Sequence, residues 1–316
     1  MSDQAKVFPT AERARPRRVV IAGASGLIGT ALTARLRSSG GEVRQLVRGT
    51  ARAPAEWSWD PANGKIDVAA LVGTEAVVNL AGANIGAGRW TAARKTLLRQ
   101  SRIDATRTLV EAIARMTEKP AVLLNASAVG YYGDRGAEVL DETSASGRGF
   151  LAEVCEAWET EARRAEPLGV RVVLARFAMV LAPSGGALAK LRPLFQLGLG
   201  GRLGRGEQWM SWVTLGDAVR AVEHALADPQ MNGPMNVAAP VPVTNAEFTR
   251  ALAAALHRPA VFPVPRPVLR VALGEMADAM LLASTRAMPG RLRASGFGFE
   301  QPQLDGALAQ VLERSH

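Results

Sequence analysis

The sequence predicts an α/β protein: a doubly wound parallel sheet, followed by a second, smaller domain of mixed α/β character. Three observations lead there. Short β-branched runs alternate with helical stretches through the first half, as repeated βαβ units do. A glycine-rich turn joins the first such run to the first helical stretch. After Arg176 the texture changes, with Gly and Pro frequent in Ser184-Gly-Gly186 and in Leu197–Gly206 (LGLGGRLGRG).

Taken in order, Arg18–Ala22 (RVVIA) reads as a buried strand. Leu27–Ser38 follows as a helix, with Leu27, Ile28, Ala31, Leu32 and Leu36 at helical spacing and Gly40-Gly41 as its stop. Val43–Val47 and Ala76–Leu80 are further strands, and a long helix is predicted over about Thr91–Met116. Ala121–Ala126 and Val170–Ala175 are strands separated by a helix near Leu151–Glu166. A helix is expected from Gly216 to Ala227. Thr244-Asn-Ala-Glu247 has capping-box spacing ahead of a helix ending near Leu256. Phe262–Pro267 reads as a stiff linker before one helix reaching about Ala283. On this reading residues 1–17 are a tail. Residues 18–180 with about 213–240 form the nucleotide-binding domain, and 181–212 with 241–316 the substrate-binding domain.

The chain has 316 residues, of which 48% are hydrophobic and 21% charged, which suits an ordinary globular protein and excludes disorder. A lone Cys155 rules out a disulfide framework and a multi-cysteine zinc site, and fits a reducing, cytoplasmic compartment. No apolar run is long enough to span a membrane, and the polar, basic first 17 residues do not form a secretory signal. The net charge of +9 biases the protein toward anionic partners. The arginines at 13, 15, 17 and 18 lack interleaved aromatics, so a solvated tail is expected there rather than a nucleic-acid site.

Gly23-Ala-Ser25-Gly26-Leu27-Ile28-Gly29 lies between a predicted strand and a predicted helix, which gives this pattern its meaning. Gly23 permits the tight turn, Gly26 lets backbone amides approach a pyrophosphate, and Gly29 lets the helix pack on the sheet. The helix N-terminus then offers free N–H groups to an anion. Nineteen residues past Gly29, at the end of the second strand, stands Arg48. An acid here would accept hydrogen bonds from a ribose 2′-hydroxyl; an arginine suits a 2′-phosphate, so NADP(H) is expected before NAD(H). Asn79-Leu80-Ala81-Gly82 ends another strand and should line the ribose–nicotinamide side.

These residues resemble the short-chain dehydrogenase/reductase superfamily in its extended form, through GASGLIG, VVNLAG and Ser127-Ala-Val-Gly-Tyr-Tyr-Gly133. Gly88-Arg-Trp90, Ser101-Arg-Ile103, Gly185–Leu188, Leu197–Gly201, Gln208–Trp212, Pro242–Asn245 and Gly296–Phe299 narrow the resemblance. They are similar to the atypical "epimerase family" branch, nucleoside-diphosphate-sugar epimerase-like, with an uncharacterised C-terminal module. The resemblance covers about residues 18–312 and implies a Rossmann domain for NADP(H) and a C-terminal substrate domain. It also implies that the region of Arg102 borders cofactor and substrate, where Arg102 either binds phosphate or holds a carboxylate of the fold.

One departure matters. Relatives with complete machinery carry a Ser near the fourth strand and a Tyr-x-x-x-Lys pair on the next helix. The helix positions here read Phe150 and Val154, which can neither give nor take a proton. Ser127 remains, and Tyr131 and Tyr132 are the only tyrosines. Ser127 and Tyr131 are therefore the catalytic candidates, with Tyr132 the structural one; packing of both rings in a turn is the competing reading. Asp134, Glu138, Asp141 and Glu142 are candidate bases or ordinary loop charges. Trp209 and Trp212 either cover a small-molecule substrate as a lid or anchor the second domain's core. Cys155 is expected as a small buried hydrophobe. His224, His257 and His316 have no spacing that suggests a metal site or a hydrolytic triad. Two functions compete: an NADP(H)-dependent oxidoreductase or epimerase acting on a small polar substrate, a nucleotide sugar among the candidates, and a non-catalytic NADP(H)-binding sensor or scaffold. A homodimer is compatible with either.

Overall fold

The computed structural model describes residues 15–313; the expected tail up to residue 14, and His316, lie outside the described residues. In chain order the first half contains β1 (Arg18–Ala22), α1 (Leu27–Ser38), β2 (Glu42–Arg48), β3 (Glu56–Asp60), β4 (Lys65–Ile66), β5 (Ala76–Asn79), α2 (Ala92–Arg115) and β6 (Val122–Ala128). Then come β7 (Val139–Leu140), α3 (Phe150–Arg163), β8 (Arg171–Phe177), β9 (Met179–Leu181), α4 (Gly186–Gln196), β10 (Trp209–Met210), β11 (Trp212–Thr214) and α5 (Leu215–Ala227). The last elements are β12 (Gly233–Val237), β13 (Val243–Thr244), α6 (Asn245–Ala255), α7 (Arg266–Leu273), β14 (Arg286–Ala287), α8 (Gly290–Ala294) and α9 (Leu304–Glu313).

Eight strands form one sheet in the order β12-β8-β6-β5-β1-β2-β3-β4. Every pair is parallel except β3–β4. The strand order reverses direction between β1 and β5, and ligands of such sheets bind in the crevice beyond the carboxyl ends there. Alternation along β1 shows how the sheet buries both faces. Val19 and Ile21 pack with Leu32, Val219 and Val222 on one side; Val20 and Ala22 pack with Leu109, Ile113 and Leu123 on the other. A C-terminal smaller domain has its own core, in which Phe195, Trp212, Phe248, Leu252, Leu308 and Leu312 meet.

The capping box ahead of α6 is present, with Thr244 and Glu247 reciprocally bonded. Two expectations need correction. The single helix predicted to Ala283 ends at Leu273, because Gly274 takes a left-handed φ of 65° and a separate π-helical turn follows over Ala277–Leu282. The strand predicted to stop at Ala126 runs on to Ala128, which makes Ser127 its last residue but one, paired opposite Arg176 of β8. Among the described residues, no helix is long and apolar enough to cross a membrane, and no group of three or more His, Cys, Asp or Glu could hold a metal ion.

Candidate functional site

The glycine loop connects β1 to α1 at the crevice, and its three glycines do different work. A Cβ on Gly23, where φ is 80°, would lie 2.7 Å from the Leu80 backbone, so only glycine lets the loop pass the end of β5. A Cβ on Gly29 would lie 2.2 Å from the Gly23 carbonyl oxygen, so this glycine seats α1 against its own loop. Gly26 is exposed, and a Cβ there would meet only the Gly23 oxygen at 3.3 Å. Open space beside Gly26 is the cradle that a pyrophosphate needs. No side chain caps α1 and no acid stands in its first turn, so among the described residues no side chain competes for these amides. Ser25 is exposed beside it, and Leu27 and Ile28 are half-buried. The donor set fits a dinucleotide.

Arg48 lies at the carboxyl end of β2, exposed, beside a cavity of about 340 Å³ lined with Ser58, Trp59, Asp60, Lys65 and Asp67. Both acids are engaged locally. Asp60 accepts from the Asn63 amide at 2.7 Å, and Asp67 accepts from the Ala69 N–H at 3.0 Å. Among the described residues the Arg48 guanidinium has no hydrogen-bond or ion-pair partner. The geometry leaves it available to an anion.

The Asn79–Gly82 turn is more structural than its sequence suggests. Asn79 is fully buried: its amide donates to Asn125 at 2.7 Å and Thr106 at 2.9 Å, and its oxygen accepts from the Ala81 N–H at 3.2 Å. It shapes the turn from below, and no atom of it reaches the crevice. Leu80 and Ala81 are half-buried and Gly82 is exposed. Arg102, on α2, donates to the carbonyls of Ala83 at 3.2 Å and Leu98 at 2.8 Å and lies over the Trp158 ring at 5.1 Å. Among the described residues it holds no carboxylate of the fold. Burial lowers its pKa, and the nearby Arg94 adds to that effect.

Ser127 is the largest surprise. Its residue is 3% exposed, and its hydroxyl donates to Glu159 of α3 at 2.7 Å. Glu159 in turn takes two bonds from Arg176 of β8, each 2.8 Å, with both side chains buried. The same guanidinium donates to the Tyr132 hydroxyl at 3.0 Å, and the single proton of that hydroxyl has two acceptors at 2.8 Å, the Asp141 carbonyl and the Asn236 side-chain oxygen. Burial pushes the Tyr132 phenol up to about 12, against the opposing pull of Arg176. A substrate oxygen has no access to a hydroxyl so placed, so Ser127 belongs to the buried network and not to the crevice surface. Sequence reasoning missed Glu159, Arg176 and Asn236. A charged residue within the apolar run VRVVLARF was the one available sign.

Tyr132 is fully buried, as its structural role requires, whereas Tyr131 is half-buried with the Arg176 guanidinium 3.4 Å from its ring centre. Tyr131 lies in the short turn after β6, at the crevice end of the sheet. The neighbouring loop acids have structural partners: Asp134 accepts from the Ser284 N–H, Glu138 pairs with Arg135, and Glu142 accepts from the Asn236 and Arg291 N–H groups. Asp141 accepts from Thr143 and Ser144, and the Thr143 hydroxyl leads in holding its carboxyl below the usual range.

Phe150 opens α3, half-buried and edge-on to Trp90 at 5.2 Å, with the Lys95 ammonium 5.0 Å from its ring centre. Val154 is buried, and so is Cys155, whose thiol burial pushes up to about 11. Of the two tryptophans, Trp209 is half-buried under the Arg286 guanidinium, 4.0 Å from its ring centre. Trp212 is fully buried, its indole N–H donating to the Val241 carbonyl at 3.0 Å. It anchors the second core, which withdraws it from the binding set.

Comparison with known proteins follows the same outline. Residues 19–238 match the NAD dependent epimerase/dehydratase family, and residues 264–311 match a domain of unknown function, DUF1731. The chain is 49% identical over 299 residues to the epimerase family protein Mb2239 of Mycobacterium bovis, covering 94% of this chain and 98% of that one. It is 35% identical to the epimerase family protein YfhF of Bacillus subtilis, over 93% and 97% of the two chains. A crystal structure of the human epimerase family protein SDR39U1 with NADPH aligns with a TM-score of 0.86 at 34% identity, over 94% of this chain and 99% of that one. The sheet order, the glycine loop and these matches agree: the chain belongs to the NAD dependent epimerase/dehydratase family, in the branch that carries the DUF1731 module.

Proposed function

We propose that this protein is an NADP(H)-dependent oxidoreductase of epimerase-like build, acting on a small polar substrate without the usual tyrosine–lysine pair. One observation carries the cofactor assignment: an exposed, uncapped helix N-terminus beside Gly26 follows β1, and Arg48, without a partner among the described residues, ends the adjacent parallel strand β2. The amides around Ser25–Ile28 would hold the pyrophosphate and Arg48 the 2′-phosphate, while Leu80, Ala81 and Gly82 would line the nicotinamide side. The human relative was crystallised with NADPH, which supports the same choice. When bound, the nicotinamide supplies or accepts the hydride. Among the chain's own groups, Tyr131 is the phenol left at the crevice, and its task is to hold or move the proton of the substrate oxygen. Arg176, stacked on its ring, fixes where that phenol stands. Ser127 has no part in this step.

A second reading is a protein that holds NADP(H) without turnover. The observation that favours it is the commitment of Ser127 to Glu159 together with inert side chains at Phe150 and Val154. Absorbance at 340 nm during incubation with NADPH and a panel of carbonyl compounds and sugar nucleotides separates the two. Turnover that falls by about 10²-fold in Tyr131→Phe supports the oxidoreductase. Tight NADPH binding with no turnover across the panel establishes the holding protein.

A further inference from the structure

A second cavity, of about 370 Å³, opens between the N-terminal ends of α2 and α3 and is lined by Trp90, Lys95, Thr96, Arg99, Phe150 and Glu275. This is the size of a small-molecule site. Its wall is aromatic, made of the edge-on pair Trp90 and Phe150. Its lining carries two cations, Lys95 and Arg99, against one carboxylate, Glu275, and the segment 84–102 that supplies the cations contains no acid. Arg94 and Arg102 donate to the Asn84 and Ala83 carbonyls rather than to carboxylates. Among the described residues, Arg99 has no ion pair.

The single carboxylate in the cavity comes from the other end of the chain. Gly274 turns the backbone out of α7, and both oxygens of Glu275 then meet the Lys95 ammonium at 2.9 and 3.0 Å. Arg89 fastens the same turn by donating to the Val271 carbonyl at 3.1 Å. The Lys95–Glu275 pair is substantially exposed, and exposed pairs are weak enough for another anion to displace at small cost.

We propose that this cavity is the substrate subsite for a small carboxylate with a flat apolar body, with Lys95 as its counter-ion and Glu275 standing in for the carboxylate until it is displaced. The flat body lies against Trp90 and Phe150, and the DUF1731 module closes the site through Glu275. The inference rests on reading the crevice as the substrate side, because Phe150 opens the helix that faces it.

The test uses benzoate as an anionic planar probe, benzamide as its neutral match and acetate as a carboxylate without a ring. Ligand-observed NMR on the full chain measures each affinity, and NADPH affinity is measured on the same samples. Benzoate should bind better than either control. Lys95→Ala should weaken benzoate about three- to fivefold, and Glu275→Gln should strengthen it about threefold by removing the competing carboxylate. Equal binding of the three probes, or silence of both variants, overturns the subsite. Loss of NADPH binding with the benzoate pattern intact would instead overturn the cofactor reading alone.

Discussion

Glu159→Gln isolates the charge at the centre of the buried network while keeping the side chain's shape. Glu159 and Arg176 are 5% and 3% exposed at their side chains, joined by two bonds of 2.8 Å, with Ser127 as a third donor to the carboxylate. In the variant the guanidinium stays buried with one amide oxygen, the Tyr132 hydroxyl and two phenol rings, none of which carries the compensating negative charge. Removing one partner of a buried pair costs about 3–5 kcal/mol, because an uncompensated charge is left behind. At about 2 °C per kcal/mol for a chain of this length, Tm should fall by about 6–10 °C. Glu138→Gln is the control: its pair with Arg135 is partly exposed and should contribute within about 1 kcal/mol. Thermal unfolding followed by circular dichroism reads both. A Glu159→Gln protein that melts with the wild type would refute the argument that the ion pair is buried and uncompensated. Replacing both partners by Leu and Met should recover most of the loss, since buried pairs rarely outperform apolar packing.

Two further outcomes follow from the loop and the network. Gly26→Ala should fold normally and weaken NADPH by about ten- to hundredfold, whereas Gly29→Ala should lower stability by about 3 kcal/mol, because its Cβ meets the Gly23 oxygen; calorimetry and thermal unfolding on both variants check the contrast. Tyr131→Phe leaves Tyr132 as the sole tyrosine, and its absorbance titration should centre near 12 rather than at the ordinary 10. Because the folded state raises this pKa, the associated stability is complete below pH 10 and is lost as pH rises through 12. A midpoint near 10 in the folded protein would contradict the burial of that phenol.

The sequence was most legible where one physical signal dominated. RVVIA and the helix beginning at Leu27 have the boundaries expected, because a buried strand, a glycine turn and helical spacing all agree. Strands β3 and β12 went unread for opposite reasons. EWSWD is short and alternates, with only the two-residue β4 paired on one side, while GPMNV carries Gly, Pro and Asn and owes its conformation to pairing with β8. The glycine loop was readable because each glycine answers a steric demand. The neighbourhood of Ser127 was not, because strand face decides it: two more residues in β6 turn that hydroxyl toward α3, and no local pattern shows that Glu159 and Arg176 will meet it. Asn79 and Trp212 failed in the same way. Both residue types suit a binding site, and only tertiary contacts reveal that each is already occupied.

The central claim is that Arg48 selects NADP(H). Calorimetric titration of the wild type and Arg48→Ala with NADPH and NADH tests it most directly. The wild type should bind NADPH more tightly, and the variant should lose about ten- to hundredfold in NADPH affinity, the worth of a charge-assisted hydrogen bond, with NADH unchanged. Equal affinities in the wild type, or equal losses for both cofactors, would contradict the account.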